Sequence, residues 1–371
     1  MVRAPSRTLH RREITVAVFG FLVGVAIFAS VLSSVEWDAS ALLRVGEDNG
    51  HIISFVEEQL DHVRVVANLG HDGKYYFIHA HDPFLLEPDT YARIIDRPVY
   101  RTQRILYPLL ASVGGLLQGW AVAWGLIVVN LLAMALGTWA SAKLAVSLGT
   151  SAWWGLAFAL NPGVIFELII DGAGTLAWAL AVLGVWLLVE GKYRGAVVAV
   201  VAAVLAREAM ILVAFGLAIG LWRVDRTKAV GMALWPSLGA LLWALWVRWR
   251  LAVPVLTSES EEIGVPFSGL IGAATRWLEE PGWNLVLGSV VIALLLVATT
   301  QVIRRPSLVA YSTIGFAALA PLLTRQVWLN YFDITRAVAP VFTTFVLVLF
   351  ARDPPNKTEG SIQKKLIGAE E

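Results

Sequence analysis

Ile14-Thr15-Val16-Ala17-Val18-Phe19-Gly20-Phe21-Leu22-Val23-Gly24-Val25-Ala26-Ile27-Phe28-Ala29-Ser30-Val31-Leu32 is a run of nineteen residues without a charge. About 20 apolar residues cross a bilayer core as a helix, so this run is long enough to span. Arg3, Arg7, Arg11 and Arg12 precede it, and a basic flank stays in the cytoplasm. A secretory signal peptide is the competing reading. The run is long for one, and Ala29-Ser30-Val31 is a weak cleavage site, so an uncleaved first span is expected.

The rest of the chain reads the same way. Its 371 residues are 57% hydrophobic and only 15% charged, where soluble domains carry about 25% charged residues. A polytopic membrane protein follows. A net charge of +1 gives no basic footprint for nucleic acid. With no cysteine, disulfides, thiolate metal sites and cysteine nucleophiles are excluded. Sixteen tryptophans suit anchoring at membrane interfaces.

Behind the first span comes a polar loop, residues 34–104, with twelve Asp/Glu, seven Lys/Arg and five of the six histidines. Ile52, Ile53, Phe55, Val56, Leu60 and Val63 recur at helical spacing, which predicts an amphipathic helix on the membrane or the bundle. The apolar segment Ile105–Leu117 contains Pro108 and is short for a span. Charge parity decides its role. Later apolar runs are Ala121–Leu148, Trp153–Ile170, Thr175–Val189, Ala196–Leu205, Met210–Trp222, Val230–Val247, Asn284–Ile303, Leu308–Leu323 and Ala337–Phe350. The basic clusters Lys192/Arg194, Arg223/Arg226/Lys228, Arg304/Arg305 and Lys357/Lys364/Lys365 all fall on the cytoplasmic side only if Ile105–Leu117 does not cross.

The expected fold is therefore all-α: a polytopic transmembrane helical bundle of about ten spans. It has a cytoplasmic N-terminus (1–13), a transmembrane domain (14–350) and a cytoplasmic tail (351–371). A large first extracytoplasmic loop with juxtamembrane helices (34–118) and a second outer loop (251–283), with its acidic run Glu259-Ser260-Glu261-Glu262, complete it. The Ala196–Trp222 stretch is expected to break at Arg207-Glu208, because one long helix would bury that charge pair in lipid.

Polar features then converge on the outer face: the stretch Gly70-His71-Asp72-Gly73-Lys74-Tyr75-Tyr76, Asp171, Arg207-Glu208, and Asp333/Arg336. Asp72 between two glycines is either a general base beside stacking aromatics or a turn residue bonded to its own loop. His79-Ala80-His81-Asp82 reads as a metal site or as a satisfied loop pair, since imidazole and carboxylate both bind divalent ions and spacing fixes no third ligand. Arg101 and Arg104 suit phosphate through bidentate donation, or snorkel at the interface. Asn161-Pro162 predicts a kink within its span. Asp171 is read as a functional carboxylate or a helix N-cap.

The Asp-Gly-x-x-Tyr-Tyr stretch, followed by Arg104-Ile105-Leu106-Tyr107-Pro108-Leu109-Leu110 and small-residue-rich spans, resembles the GT-C superfamily of polytopic membrane glycosyltransferases. The likeness is to bacterial members with Gly-Tyr-Asp-Gly-x-x-Tyr-Tyr and Arg-x-Leu-Tyr-Pro motifs, and more distantly to the mannosyltransferases of GPI-anchor assembly. It covers Gly70–Leu110 best. It implies inverting transfer of a sugar from a polyprenyl-phosphate donor, on the outer face of the plasma membrane, to a glycan, lipid or protein acceptor. By position Asp72 takes the role of base, with Asp38 as the competing carboxylate. Tyr75, Tyr76, Arg101, Arg104, Tyr107, Asp171, Arg207, Glu208, Asp333 and Arg336 are the expected substrate-binding set. Some family members use a divalent metal, Mg or Mn, for which His79 and Asp82 are the candidates here. His71 stands where relatives often have Tyr. A transporter or lipid flippase, and a non-catalytic envelope-assembly protein, are the rival expectations.

Overall fold

The computed structural model describes residues 7–67, 69–254 and 263–351. The acidic run at 259–262 and the basic tail from 352 lie outside them. The described residues are about three-quarters helical. The helices in order are α1 (Arg7–Ser33), α2 (Gly50–Leu60), α3 (Gly73–His81), α4 (Pro88–Ile94), α5 (Pro98–Arg101), α6 (Leu106–Ala111) and α7 (Trp120–Ser147). Then come α8 (Leu156–Ala159), α9 (Pro162–Ile169), α10 (Gly174–Val189), α11 (Tyr193–Ala206), α12 (Ile211–Leu221) and α13 (Arg226–Arg250). The last are α14 (Ser268–Glu279), α15 (Trp283–Arg304), α16 (Leu308–Leu319), α17 (Arg325–Leu329), α18 (Tyr331–Ala337) and α19 (Ala339–Leu349). A two-stranded parallel ribbon pairs Val45–Gly46 with Val65–Val66.

Among the described residues, four helices are long and apolar enough to cross a membrane: Arg11–Ser33 within α1, α7, α13, and Trp283–Gln301 within α15. Two bent pairs bring the number to six if each is one span, Ala152–Ala159 (ending in α8) with α9, bent by 45°, and α18 with α19, bent by 63°. Asn161 opens α9, its side chain accepting from the Gly163 amide, with Pro162 in the first turn. Proline is tolerated there but cannot continue the hydrogen bonding of a preceding helix. Four further apolar helices are shorter, 10–17 residues. The ten-span expectation is thus met only at the coarser level of an all-α bundle with four to six candidate spans.

Residues 105–117 form only the six-residue α6 followed by turns, too short to cross. The stretch 196–222 breaks at Arg207, whose backbone is extended (φ −155°, ψ 120°) between α11 and α12. Such a break turns both Arg207 and Glu208 toward partners on other elements.

Helix α10 lies at the centre. It packs on α7 and α11, and Ala177, Trp178, Ala181, Val182 and Val185 are buried. Its apolar residues are spread all round, as a wholly enclosed helix requires. Outer helices turn apolar side chains outward instead: Val18, Leu22, Leu242 and Leu296 are half exposed or more. That is the pattern of a surface that meets lipid tails rather than water.

Candidate functional site

The polar stretch after the first span is not a loop from Gly73 onward; it folds into α3, with Tyr75, Tyr76, Phe77, Ile78 and His79 all buried. Its placement depends on two glycines. Gly70 adopts φ +68°, which glycine takes without steric cost. Gly73 is wedged between backbones, and a Cβ there would lie 2.8 Å from both the Leu42 and Ile170 carbonyl oxygens.

Asp72 occupies the N-cap position of α3, yet its side chain makes no capping bond. The carboxylate points instead at three arginines. Arg101 Nη1 donates to Oδ1 at 2.8 Å. Arg104 Nη1 and Arg336 Nη2 stand 3.5 Å and 3.7 Å from Oδ2. Of the two readings of Asp72, the self-bonded turn is therefore set aside. Burial alone would raise its pKa, but Arg101, then Arg104 and Arg336, hold it well below the usual carboxylate range. The helix N-terminus favours the same ionised form. The side chain remains 23% exposed, so a ligand can reach it.

Each arginine is fixed by further partners. Arg104 grips Glu208 with both Nε (2.9 Å) and Nη2 (2.8 Å), and reaches the hydroxyls of Tyr76 (3.0 Å) and Tyr100 (2.9 Å). The Arg101 guanidinium stacks 4.1 Å from the Tyr75 ring centroid. Arg336 donates through Nε to Glu167 Oε1 (2.9 Å) and through Nη1 to Asp333 (3.2 Å). Arg207 donates to the same Glu167 oxygen at 2.7 Å. Asp72, Tyr75, Arg101, Arg104, Arg207, Asp333 and Arg336 line one cavity of about 740 Å³. Its cationic side chains are Lys74, Arg97, Arg101, Arg104, Arg207 and Arg336, against the carboxylates of Asp72, Asp96 and Asp333. Such a surplus of guanidinium donors suits a phosphate.

Compared with protein-family models, curated proteins and solved structures, the chain matches none.

Not every expected residue reaches the cavity. Tyr76 and Glu208 stand behind it, holding Arg104. Tyr107 and Asp171 belong to the core and are fully enclosed. Tyr107 donates to Asp171 Oδ1 at 2.7 Å, and Asn130 Nδ2 lies 3.3 Å from the same oxygen. Nor is Asp171 a helix N-cap; Ala173 holds that position for α10. These two substrate-binding expectations are corrected: a side chain with no exposed atom cannot touch a ligand in the cavity.

The divalent-metal expectation does not fit its residues either. His79 is buried, its Nε2 donating to the Pro83 carbonyl at 3.2 Å. Asp82 spends both oxygens on the Leu86 and Glu87 amides, each at 2.8 Å. Neither lines the Asp72 cavity, and among the described residues no three His, Cys, Asp or Glu gather as metal ligands. His81 likewise has both ring nitrogens engaged, with the Phe77 carbonyl (2.8 Å) and the Gly119 amide (3.0 Å). Asp38, the competing base, lies in a separate cleft with Trp37, His62, Arg64 and Trp120.

Sequence reasoning missed Glu167. It is the lone carboxylate in the apolar run Val164–Ile170, and an ionisable residue inside such a run marks a functional candidate by default. Here it ties Arg207 and Arg336 together from beneath, its other oxygen accepting from the Gly174 amide at 3.0 Å.

Proposed function

We propose that the chain is an integral membrane glycosyltransferase of the GT-C type, taking a sugar from a polyprenyl-phosphate donor at the outer face of the plasma membrane. The observation that carries this reading is Asp72 ringed by Arg101, Arg104 and Arg336 in one cavity. An acceptor hydroxyl oxygen attacks the anomeric carbon while Asp72 takes its proton. The bond from that carbon to the lipid phosphate breaks, and the phosphate leaves with its charge on the arginines. Fixed guanidinium donors aimed at a developing charge lower a barrier most in a partly dry site.

The arginine ring also sets the timing. Ionised and triply paired, Asp72 is a weak base in the free protein. A donor phosphate competes for the same guanidinium groups, and that competition raises the basicity of Asp72 only when donor is bound. The full arrangement belongs to this proposal as well. It has ten spans, with the four shorter apolar helices and the two bent pairs each crossing once, both termini cytoplasmic, and a glycan, lipid or protein acceptor. Purified protein given a polyprenyl-phosphate sugar and acceptor should release lipid phosphate; no release with any such donor would remove the reading.

One observation favours a second reading, a transporter or lipid flippase. The two bent pairs meet: Asn161 Nδ2 on one donates to the Ala339 carbonyl (2.7 Å) and Thr343 hydroxyl (2.9 Å) on the other. Paired broken helices beside charged residues are a transporter hallmark. Lipid-phosphate flux across proteoliposomes with no glycosidic bond cleaved would place this reading first.

A further inference from the structure

A second cavity, about 980 Å³, lies between α12, α13 and α16. Helix α12 and the turn before it run from Arg207, at the Asp72 cavity, to Arg223, at this one. At 1.5 Å per residue the sixteen intervening steps cover roughly 24 Å. The two cavities therefore belong to opposite ends of the bundle.

The walls are mostly apolar: Phe215, Ile219, Val230 and Leu234 all line the cavity and are about half exposed. One end is different. Arg223 and Tyr311 line it there, and among the described residues neither the guanidinium nor the phenol has a hydrogen-bond or ion-pair partner. Gly220 brings them together. A Cβ at Gly220 would lie 3.1 Å from Tyr311 Cδ2 and 2.7 Å from Leu308 Cδ2, so α16 approaches α12 one turn before Arg223. Trp222, 52% exposed, lines the same end, and tryptophan prefers headgroup depth. From Val224 to Phe215 the cavity follows α12 for roughly 13 Å, along which a lipid tail can lie.

We infer that this cavity binds an anionic phospholipid, its phosphate between Arg223 and Tyr311 and one acyl chain along α12 and α13. Lipid tails gain little by leaving other tails for an apolar wall, so selectivity must come from the headgroup. A guanidinium without a carboxylate partner supplies it.

Native mass spectrometry of the purified full chain tests this with phosphatidylglycerol and phosphatidylcholine of identical acyl chains, and with inorganic phosphate. Phosphatidylglycerol should bind about 10-fold more tightly than phosphatidylcholine, because both offer a phosphate but the choline ammonium offsets its charge beside Arg223. Arg223→Gln, a change at an exposed side chain, should abolish that preference, and Arg226→Gln should leave it intact. Equal binding of the two lipids, a preference that survives Arg223→Gln, or inorganic phosphate competing as well as the lipid would each overturn the inference.

Discussion

Glu167→Gln is the perturbation that tests how the arginine ring is held. The Glu167 carboxylate is 4% exposed and accepts from Arg207, Arg336 and the Gly174 amide. The amide keeps the shape and one acceptor oxygen but loses the charge. Two charge-assisted bonds at about 1.5–3 kcal/mol each are weakened. Arg207 also loses its buried counter-ion, a class of change that costs about 3–5 kcal/mol, while Arg336 keeps Asp333 and Asp72. Since the amide oxygen can still serve one arginine, about 3 kcal/mol is expected. Equilibrium unfolding in mixed micelles measures it. Adding Arg336→Met removes one of the two under-paired charges, so the double variant should recover part of the loss, about 1 kcal/mol or more. A Glu167→Gln loss below about 1 kcal/mol, or strictly additive losses, would refute the view that Glu167 anchors the ring.

Gly73→Ala should cost about 1–3 kcal/mol as an overpacking change, because the backbones of Leu42 and Ile170 flank the new methyl; an unchanged unfolding midpoint would contradict the tight approach. His79→Phe tests a pH effect. Burial holds His79 down to about 4, against the Pro83 hydrogen bond, and its Nδ1 has no partner to receive a proton's charge. The unfolded chain binds that proton first, so stability should fall by roughly 3 kcal/mol as pH drops from about 6.5 to about 4, and His79→Phe should flatten that slope. Asp38→Asn should leave sugar transfer within about 3-fold of the parent, since asparagine caps a helix as well as aspartate and Asp38 faces another cleft; a loss on the order of 100-fold would move the base from Asp72 to Asp38.

Parts of this architecture were legible in the residues. The uncharged run from Ile14, the Asn161-Pro162 bend and the break at Arg207-Glu208 all follow from helix chemistry that tertiary packing does not override. So did the meeting of Asp72, Arg104, Arg207 and Arg336, because charges at span ends have few places to go but one another. Helix α3 was hidden. It is buried on nearly every face and so carries no amphipathic period, while Gly70 and Gly73 suggest a loop. The surroundings of the histidines were hidden for a related reason. Their type invites metal, but backbone carbonyls and an amide, invisible in a sequence, had already taken His79 Nε2 and both nitrogens of His81. Asp171 and Tyr107 look like site residues by type, and only packing against Asn130 and Leu126 shows them to be core.

The most direct measurement compares parent and Asp72→Asn protein for two quantities together, turnover of a polyprenyl-phosphate sugar and affinity for the lipid phosphate. Removing the carboxylate takes away the base but leaves Arg101, Arg104 and Arg336 with more charge to offer a phosphate. Turnover should fall at least ~100-fold, as loss of a general base requires, while lipid-phosphate affinity holds or tightens. Parent-like turnover in Asp72→Asn would contradict the assignment, and a parallel loss of affinity would show the carboxylate to be only a strut for the arginines.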